Sequence, residues 1–223
     1  MGDPSINAKS LSPLRLHLGC GTNKLEGWIN IDSVKGFNPD VVHDISRPLP
    51  YDDQTVDEVL AEDLLEHFDK YLRYVVFGDW ARVLKIGGLI TVQVPNFKKI
   101  LYRYFKFGYD HFVDFIFGEN MWRSEVYLGH FGNHKWGYSE ASLKSFVQLF
   151  GIEPVSLQRK GLNLRMTGEK RRHIPGSALD QIQIYSYAND HGIGEAYLSM
   201  GFVRGRIGEF QGSDELKLHE HRA

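Results

Sequence analysis

Leu16-His17-Leu18-Gly19-Cys20-Gly21, followed by Asp32 and then Asp44, is the part of this 223-residue sequence whose residue types and spacing point most directly to chemistry. A strand that runs into Gly-x-Gly turns sharply there and exposes its N–H groups. With no side chains in the way, a ligand can lie against the main chain. Asp32 closes the next apolar stretch, Trp28-Ile29-Asn30-Ile31, and a carboxylate in that place accepts two hydrogen bonds from a ribose diol. Asp44 closes a third short stretch, Asp40-Val41-Val42-His43. Together these residues outline a nucleoside pocket at the C-terminal edge of a parallel sheet. A dinucleotide fingerprint would need a third glycine three residues after the second, where Lys24 stands, and its acidic residue would come later than Asp32 does. No Gly-Lys-Ser/Thr follows the bend, so a Walker-type phosphate loop is absent. A ligand with a ribose but no phosphate cradle fits better.

A second group of residues could move protons. His130 and His134 are candidate general bases, because neutral imidazole near pH 7 can take a proton from a hydroxyl. Tyr138 stands behind them as a third candidate. Four-residue spacing of two histidines also suits metal ligation on a helix, but Gly129, Gly132 and Gly137 oppose a regular helix there. With no carboxylate suitably placed nearby, no metal site is expected. Glu66-His67 reads as a structural cap and packing pair, and Cys20 as a small residue that gives access to the backbone rather than a nucleophile.

The elements that must position these groups alternate along the chain. Short strands are expected at 14–18, 28–32, 40–44 and 56–61. The spacing predicts a helix over 70–86, with Leu72, Val75, Val76, Trp80, Val83 and Leu84 on one face and Gly87-Gly88 as its left-handed cap. A fifth strand covers 89–94. Ser139 caps a further helix that ends at Gly151, and a sixth strand runs over 152–158. A seventh strand is expected at 181–187, and Lys170 to His173 as an exposed loop. This order argues for an α/β, Rossmann-like fold: a mostly parallel central sheet of about seven strands flanked by helices. Residues 98–138 form a helical, aromatic-rich insertion over the sheet's C-terminal edge, its rings packed as core or lid. The whole chain reads as a single domain, with core 14–97 and 139–187 and a C-terminal extension from 188 to 223. Lys98, Lys99, Arg103 and Lys106 make part of the insertion basic, which suits an acidic or phosphorylated acceptor and equally a solvated helix face.

Composition narrows the class. Hydrophobic residues make up 42% and charged residues 24% of the chain, as in ordinary globular proteins. A formal net charge of -2 argues against a nucleic-acid-gripping role, which carries a basic excess. Cys20 is the single cysteine, so neither an intrachain disulfide nor a cysteine-based zinc site is available. Met1 to Ser12 lacks the apolar core of a signal peptide, and no run approaches the ~20 apolar residues of a membrane span. A cytosolic location is the expectation.

Four motifs in order resemble the class I methyltransferases. Leu16 to Gly21 looks like their motif I. Pro48-Leu49-Pro50-Tyr51, then Leu64-Leu65-Glu66-His67-Phe68, is similar to their "LPF…D…LEH" segment. Arg82 to Gly88 resembles the "RVLKPGG" turn, and His134 to Ser139 with Leu149-Phe150-Gly151 the late "H…YS…L…GF" segment. The variant Gly-Trp-Ile-Asn-Ile-Asp after motif I resembles a type 11-like branch often associated with surface-polysaccharide pathways. The resemblance implies S-adenosylmethionine as cofactor. Gly19, Cys20 and Gly21 would then lie along its methionine, Asp32 would bind the ribose, and Asp44 and Ile45 the adenine. Glu62 and Asp63 would line the pocket near the methionine or sulfonium. It further implies methyl transfer to a small molecule or glycan, probed first at a hydroxyl with His134, His130 or Tyr138 as base. His17 and Asn23 depart from the family pattern, and too few residues separate Gly21 from Trp28 for the usual first helix. These departures keep open a non-catalytic nucleoside-binding module, and, further off, an NAD-dependent oxidoreductase.

Overall fold

The computed structural model describes residues 12–107 and 133–174. Seven strands form one sheet: β1 (Arg15–Leu18), β2 (Ile29–Asp32), β3 (Val41–Val42), β4 (Val56–Glu62), β5 (Leu84–Pro95), β6 (Ile152–Lys160) and β7 (Asn163–Lys170). Their order is β3-β2-β1-β4-β5-β7-β6. The first five are parallel, and β7 inserts antiparallel between β5 and β6. The expected Rossmann-like α/β architecture is therefore present.

Period-2 patterning sets which face each side chain takes. Leu16 and Leu18 of β1, Ile31 of β2 and Val59 and Ala61 of β4 are fully buried in one core. His17 and Asn30 are register partners on adjacent strands, and His17 Nδ1 lies 3.2 Å from Asn30 Oδ1. Asn30 also accepts from the Leu25 amide at 2.8 Å and donates to the Leu25 carbonyl at 3.1 Å. This amide thus fastens the connection from Gly21 to Trp28, which contains turns and no helix, as its length requires.

Helix α1 (Leu72–Val83) is shorter than its sequence pattern and buried on nearly every side. The amides of Tyr71 and Leu72 donate to Asp69 Oδ1, each at 2.9 Å, at its start. At its end the expected glycine cap is not used. Leu84 is already extended and opens β5, and Gly87 (φ 81) sits inside that strand. The Arg82 and Val83 carbonyls accept instead from the Gln54 and Thr55 amides at 3.0 and 2.9 Å, and the Lys170 ammonium donates to Ala81 O at 2.7 Å and to Leu84 O, just past the helix, at 2.6 Å. A cation there also meets the negative end of the helix dipole. Lys170 is therefore a buried member of β7 and not part of an exposed loop. The seventh strand of the sheet is 163–170, and the stretch 181–187 lies outside the described residues.

Within the insertion, helix α2 (Phe97–Phe107) is described. Ile100 packs inward, whereas Tyr102, Tyr104 and Phe105 are exposed, so these rings are not core packing. Helix α3 (Glu140–Gln148) begins as expected: Ser139 Oγ accepts from the Ser142 amide at 3.2 Å, and Ser142 Oγ accepts from the Ser139 amide at 2.9 Å. Its Phe146 meets Phe77 of α1 at 5.1 Å between ring centroids, and Phe150 closes the same cluster at 5.1 Å from Phe77. Rings packed edge-on in this way add about 0.5–1.5 kcal/mol per pair beyond their burial. A register shift between Pro154 and Ser156 interrupts β6, the outermost strand on this side.

Candidate functional site

The sheet order reverses at β1, with β2 and β3 laid to one side and β4 and β5 to the other. In open α/β sheets such a switch point opens a crevice beyond the carboxyl ends of the strands, and ligands bind there. The Gly19–Gly21 bend occupies that end of β1. Gly19 (φ 63) and Gly21 (φ 52) are both left-handed, a conformation costly for other residues. A β-carbon on Gly19 would come within 2.8 Å of Leu64, which packs against the bend, while one on Gly21 would meet nothing within 4 Å.

Asp32 lies directly beside the bend. Its Oδ2 accepts from the Gly21 amide at 2.9 Å and its Oδ1 from the Val34 amide at 2.8 Å. A carboxylate has about four lone-pair sites, so two such bonds leave acceptor capacity for a diol. Cys20 is buried, its thiol pushed up to about 11 by burial and then by the nearby Asp32 and Asp40 carboxylates. It is a thiol and not a nucleophilic thiolate.

Asp44 follows β3 and organises a turn, its Oδ1 accepting from the Ser46 amide at 3.0 Å and hydroxyl at 2.6 Å. Burial opposes its charge, but the Ser46 hydrogen bonds outweigh it and hold the carboxyl below its ordinary value. Ile45 is buried beside it. Glu62, at the end of β4, pairs with Arg165 of β7. Asp63 (φ 48) accepts from Gln93 Nε2 and Asn163 Nδ2, each at 3.0 Å. Both acids stand at the β4 end of the crevice, tied toward β5 and β7.

Immediately after Leu64, a 3-10 turn (Leu65–His67) carries Glu66 and His67. The Lys135 and Trp136 amides donate to the Glu66 carbonyl at 2.7 and 3.1 Å, which brings His134 onto this turn. His134 Nε2 lies 3.9 Å from Glu66 Oε1, and the two imidazole rings stand 5.0 Å apart, edge to face. A carboxylate is therefore close to His134, contrary to the sequence expectation, because residues 68 positions apart in the chain meet here. Burial pushes the Glu66 carboxyl well above the usual carboxylate range. Burial, then His134, lowers His67 to about 4, with ring hydrogen bonds donated to the Asn133 and Asp63 backbone opposing. Tyr138 is fully buried in the aromatic core and its phenol is raised by that burial. His130 lies outside the described residues.

Residues 28–92 match the sequence profile of a methyltransferase domain family. The matched stretch runs from the strand that ends in Asp32 to the middle of β5. That stretch is 65 of the chain's 223 residues, and this part of the chain is similar to a methyltransferase domain. Solved structures similar to this chain share its fold at low identity. A Pyrococcus horikoshii OT3 protein is 15% identical over 73% of this chain and 84% of its own, with a TM-score of 0.51. A Mesorhizobium loti S-adenosylmethionine-dependent methyltransferase is 11% identical over 71% and 91%, also at 0.51. So is a match in a Haloferax volcanii complex of the Trm112 methyltransferase activator with a putative methyltransferase, at 13% identity over 72% and 84%, with a TM-score of 0.51. No curated protein matches the sequence. None of the described helices is long and apolar enough to cross a membrane.

The described residues fit the cofactor. A bend with open space at Gly21, a carboxylate with acceptor capacity at Asp32 and no phosphate cradle suit an adenosine with a methionine tail. Sequence reasoning missed Arg165 and Asn163, the β7 partners of Glu62 and Asp63. The signal was present in the alternation of Leu164, Met166, Gly168 and Lys170, hidden because its last inward residue is a lysine. It also missed Asn30, a polar residue between two apolar ones in β2.

Proposed function

We propose that this protein is an S-adenosylmethionine-dependent methyltransferase that transfers the methyl group to a hydroxyl of a small molecule or glycan. The sulfonium of the cofactor supplies an activated methyl group. The protein's share is to grip the adenosine, align the acceptor oxygen and take up its proton. In this reading Asp32 binds the ribose, Asp44 and Ile45 flank the adenine, and the main chain of Gly19–Gly21 follows the methionine. Glu62 and Asp63 shape the floor near the sulfonium. The observation that carries the reading is the 2.9 Å contact between Asp32 and the Gly21 amide at the point where the strand order reverses.

The acceptor side rests on His134. It is half-buried on the turn that follows Leu64, and Leu64 touches the glycine bend. Tyr138 takes a packing role in this reading, since its burial removes it from any acceptor. The basic side chains of α2 favour an acceptor that carries negative charge. The residues' own task would be to hold the acceptor hydroxyl in place and let its proton leave to His134 or to solvent as the oxygen is methylated.

Calorimetry with S-adenosylhomocysteine tests the first half, and mass spectrometry of a panel of hydroxylated small molecules and saccharides tests the second. Binding that disappears in Asp32→Ala, with a methyl group gained by one acceptor class, is the expected result. Turnover only on amine acceptors would overturn the hydroxyl assignment.

A further inference from the structure

Glu66, His67 and His134 bring a carboxylate and two imidazoles together, and each offers a donor atom within 4.8 Å of the others. We propose that these three residues bind a divalent first-row transition ion of zinc-like chemistry, with an open position on the solvent side. The proposal rests on the methyltransferase reading and deepens it. His134 would then hold the ion at the acceptor side of the pocket rather than take the proton itself, and an acceptor oxygen on the ion would lose its proton to solvent more readily than a free one.

The first argument is the state of Glu66. The side chain is 1% exposed and neither carboxylate oxygen has a hydrogen-bond partner among the described residues. Buried carboxylates in proteins are hydrogen-bonded, paired or bound to metal, because leaving one without a partner is costly. The second is the donor set. Two imidazoles and a carboxylate with a fourth position left open form a familiar catalytic zinc arrangement. Bonds of about 2.0–2.2 Å to zinc place tetrahedral donors about 3.3 Å apart. The donor atoms, 3.9 Å apart for Glu66 and His134 and all within 4.8 Å of one another, would draw in by up to about 1.5 Å to close on an ion.

The third argument is preorganisation. His67 Nδ1 faces the Asn133 carbonyl at 3.1 Å, and donating its proton there leaves the lone pair of Nε2 for an ion. A backbone carbonyl in that place is the usual way a ligand histidine is oriented. The ring's other hydrogen bond, to the main chain of Asp63, is the contact an ion would replace. The two amide bonds from Lys135 and Trp136 to Glu66 already stitch both halves of the site together. Entry is from the His134 side, where that side chain is 16% exposed.

The test uses the full chain, stripped with chelator and titrated with zinc against a chromophoric chelator, then with cobalt(II) followed by its visible absorption. One ion per chain is expected. Glu66→Gln and His134→Ala should each weaken it by at least about tenfold, while His173→Gln, away from the cluster, binds like the parent. The proposal is overturned if the stripped chain takes up no ion, or if both ligand variants bind as tightly as the parent. His134 lies at the rim, so His134→Ala decides the question even where Glu66→Gln does not fold. Titrating S-adenosylhomocysteine into the same stripped sample separates the two readings. Nucleoside binding without metal uptake removes the ion site alone, and metal uptake without nucleoside binding removes the cofactor assignment alone.

Discussion

Asp32 holds two backbone amides in place, so one carboxylate shapes the bend and, in the proposed reading, also takes the ribose. Asp32→Ala is expected to weaken S-adenosylhomocysteine binding by about 1.5–3 kcal/mol, roughly 10- to 150-fold, measured by calorimetry. The two glycines of the bend should separate by function. Gly19→Ala forces a β-carbon against Leu64 in a left-handed backbone, so its main effect is on stability, beyond the about 1–2 kcal/mol of the backbone alone. Gly21→Ala faces open space, so its main effect is on nucleoside affinity. Urea melts and calorimetry on both variants check the split, and equal loss of both properties in both variants would contradict it. Cys20 should react slowly with iodoacetamide at pH 8 in the native protein and quickly once unfolded, as a buried thiol near pH 11 requires. The bend and its acid were legible because glycine spacing and a strand-terminal carboxylate are local signals. The approach of Glu66 to His134 was not, because it depends on how two distant loops meet across the sheet edge.

Among the elements, α1 shows how far local pattern carries. Its apolar spacing fixes the helix, but its termination is tertiary, set by the Gln54 and Thr55 amides and the Lys170 ammonium on its last carbonyls. Burial lowers Lys170 to about 8, whereas an unfolded lysine titrates near 10.4. Between those values the unfolded chain binds more protons than the folded one, so this group's contribution to stability rises with pH from about 8 to about 10.4. The stability difference between the parent and Lys170→Met should move in the parent's favour across that window in denaturant titrations. A flat difference would show that Lys170 does not titrate there. The same helix carries Arg82, which donates to Asp79 Oδ1 and Asp53 Oδ1 at 2.8 Å each and to the Leu49 and Tyr51 carbonyls. Arg82→Met strands the buried Asp79 carboxylate and should cost about 3–5 kcal/mol, with part of the loss recovered in the double variant Arg82→Met, Asp79→Leu. Six of the seven strands were readable from alternation and turn residues. The strand at 163–170 was missed because an inward-facing lysine breaks the apolar pattern that marks a strand.

At the scale of the molecule, seven strands in one sheet set the crevice, and the antiparallel β6–β7 pair completes its far side. If the crevice is the cofactor site, S-adenosylhomocysteine at about 100 times its dissociation constant should stabilise the chain by about 2.7 kcal/mol, visible as a raised melting temperature that Asp32→Ala abolishes. The architecture was legible because the order of element types along the chain dictates it, whereas the antiparallel insertion of β7 between β5 and β6 leaves no mark in any single segment. The break at Pro154 has a consequence for behaviour in crowded solution. Beyond β6 no described strand continues the sheet, and a long uninterrupted margin would invite another chain to add itself there. Proline lacks the donor such an addition needs, and the shifted register beside it kinks the row of remaining donors. Pro154→Thr should leave the monomer folded yet raise its light scattering on concentration, turning a blunt rim into a seed for polymer growth.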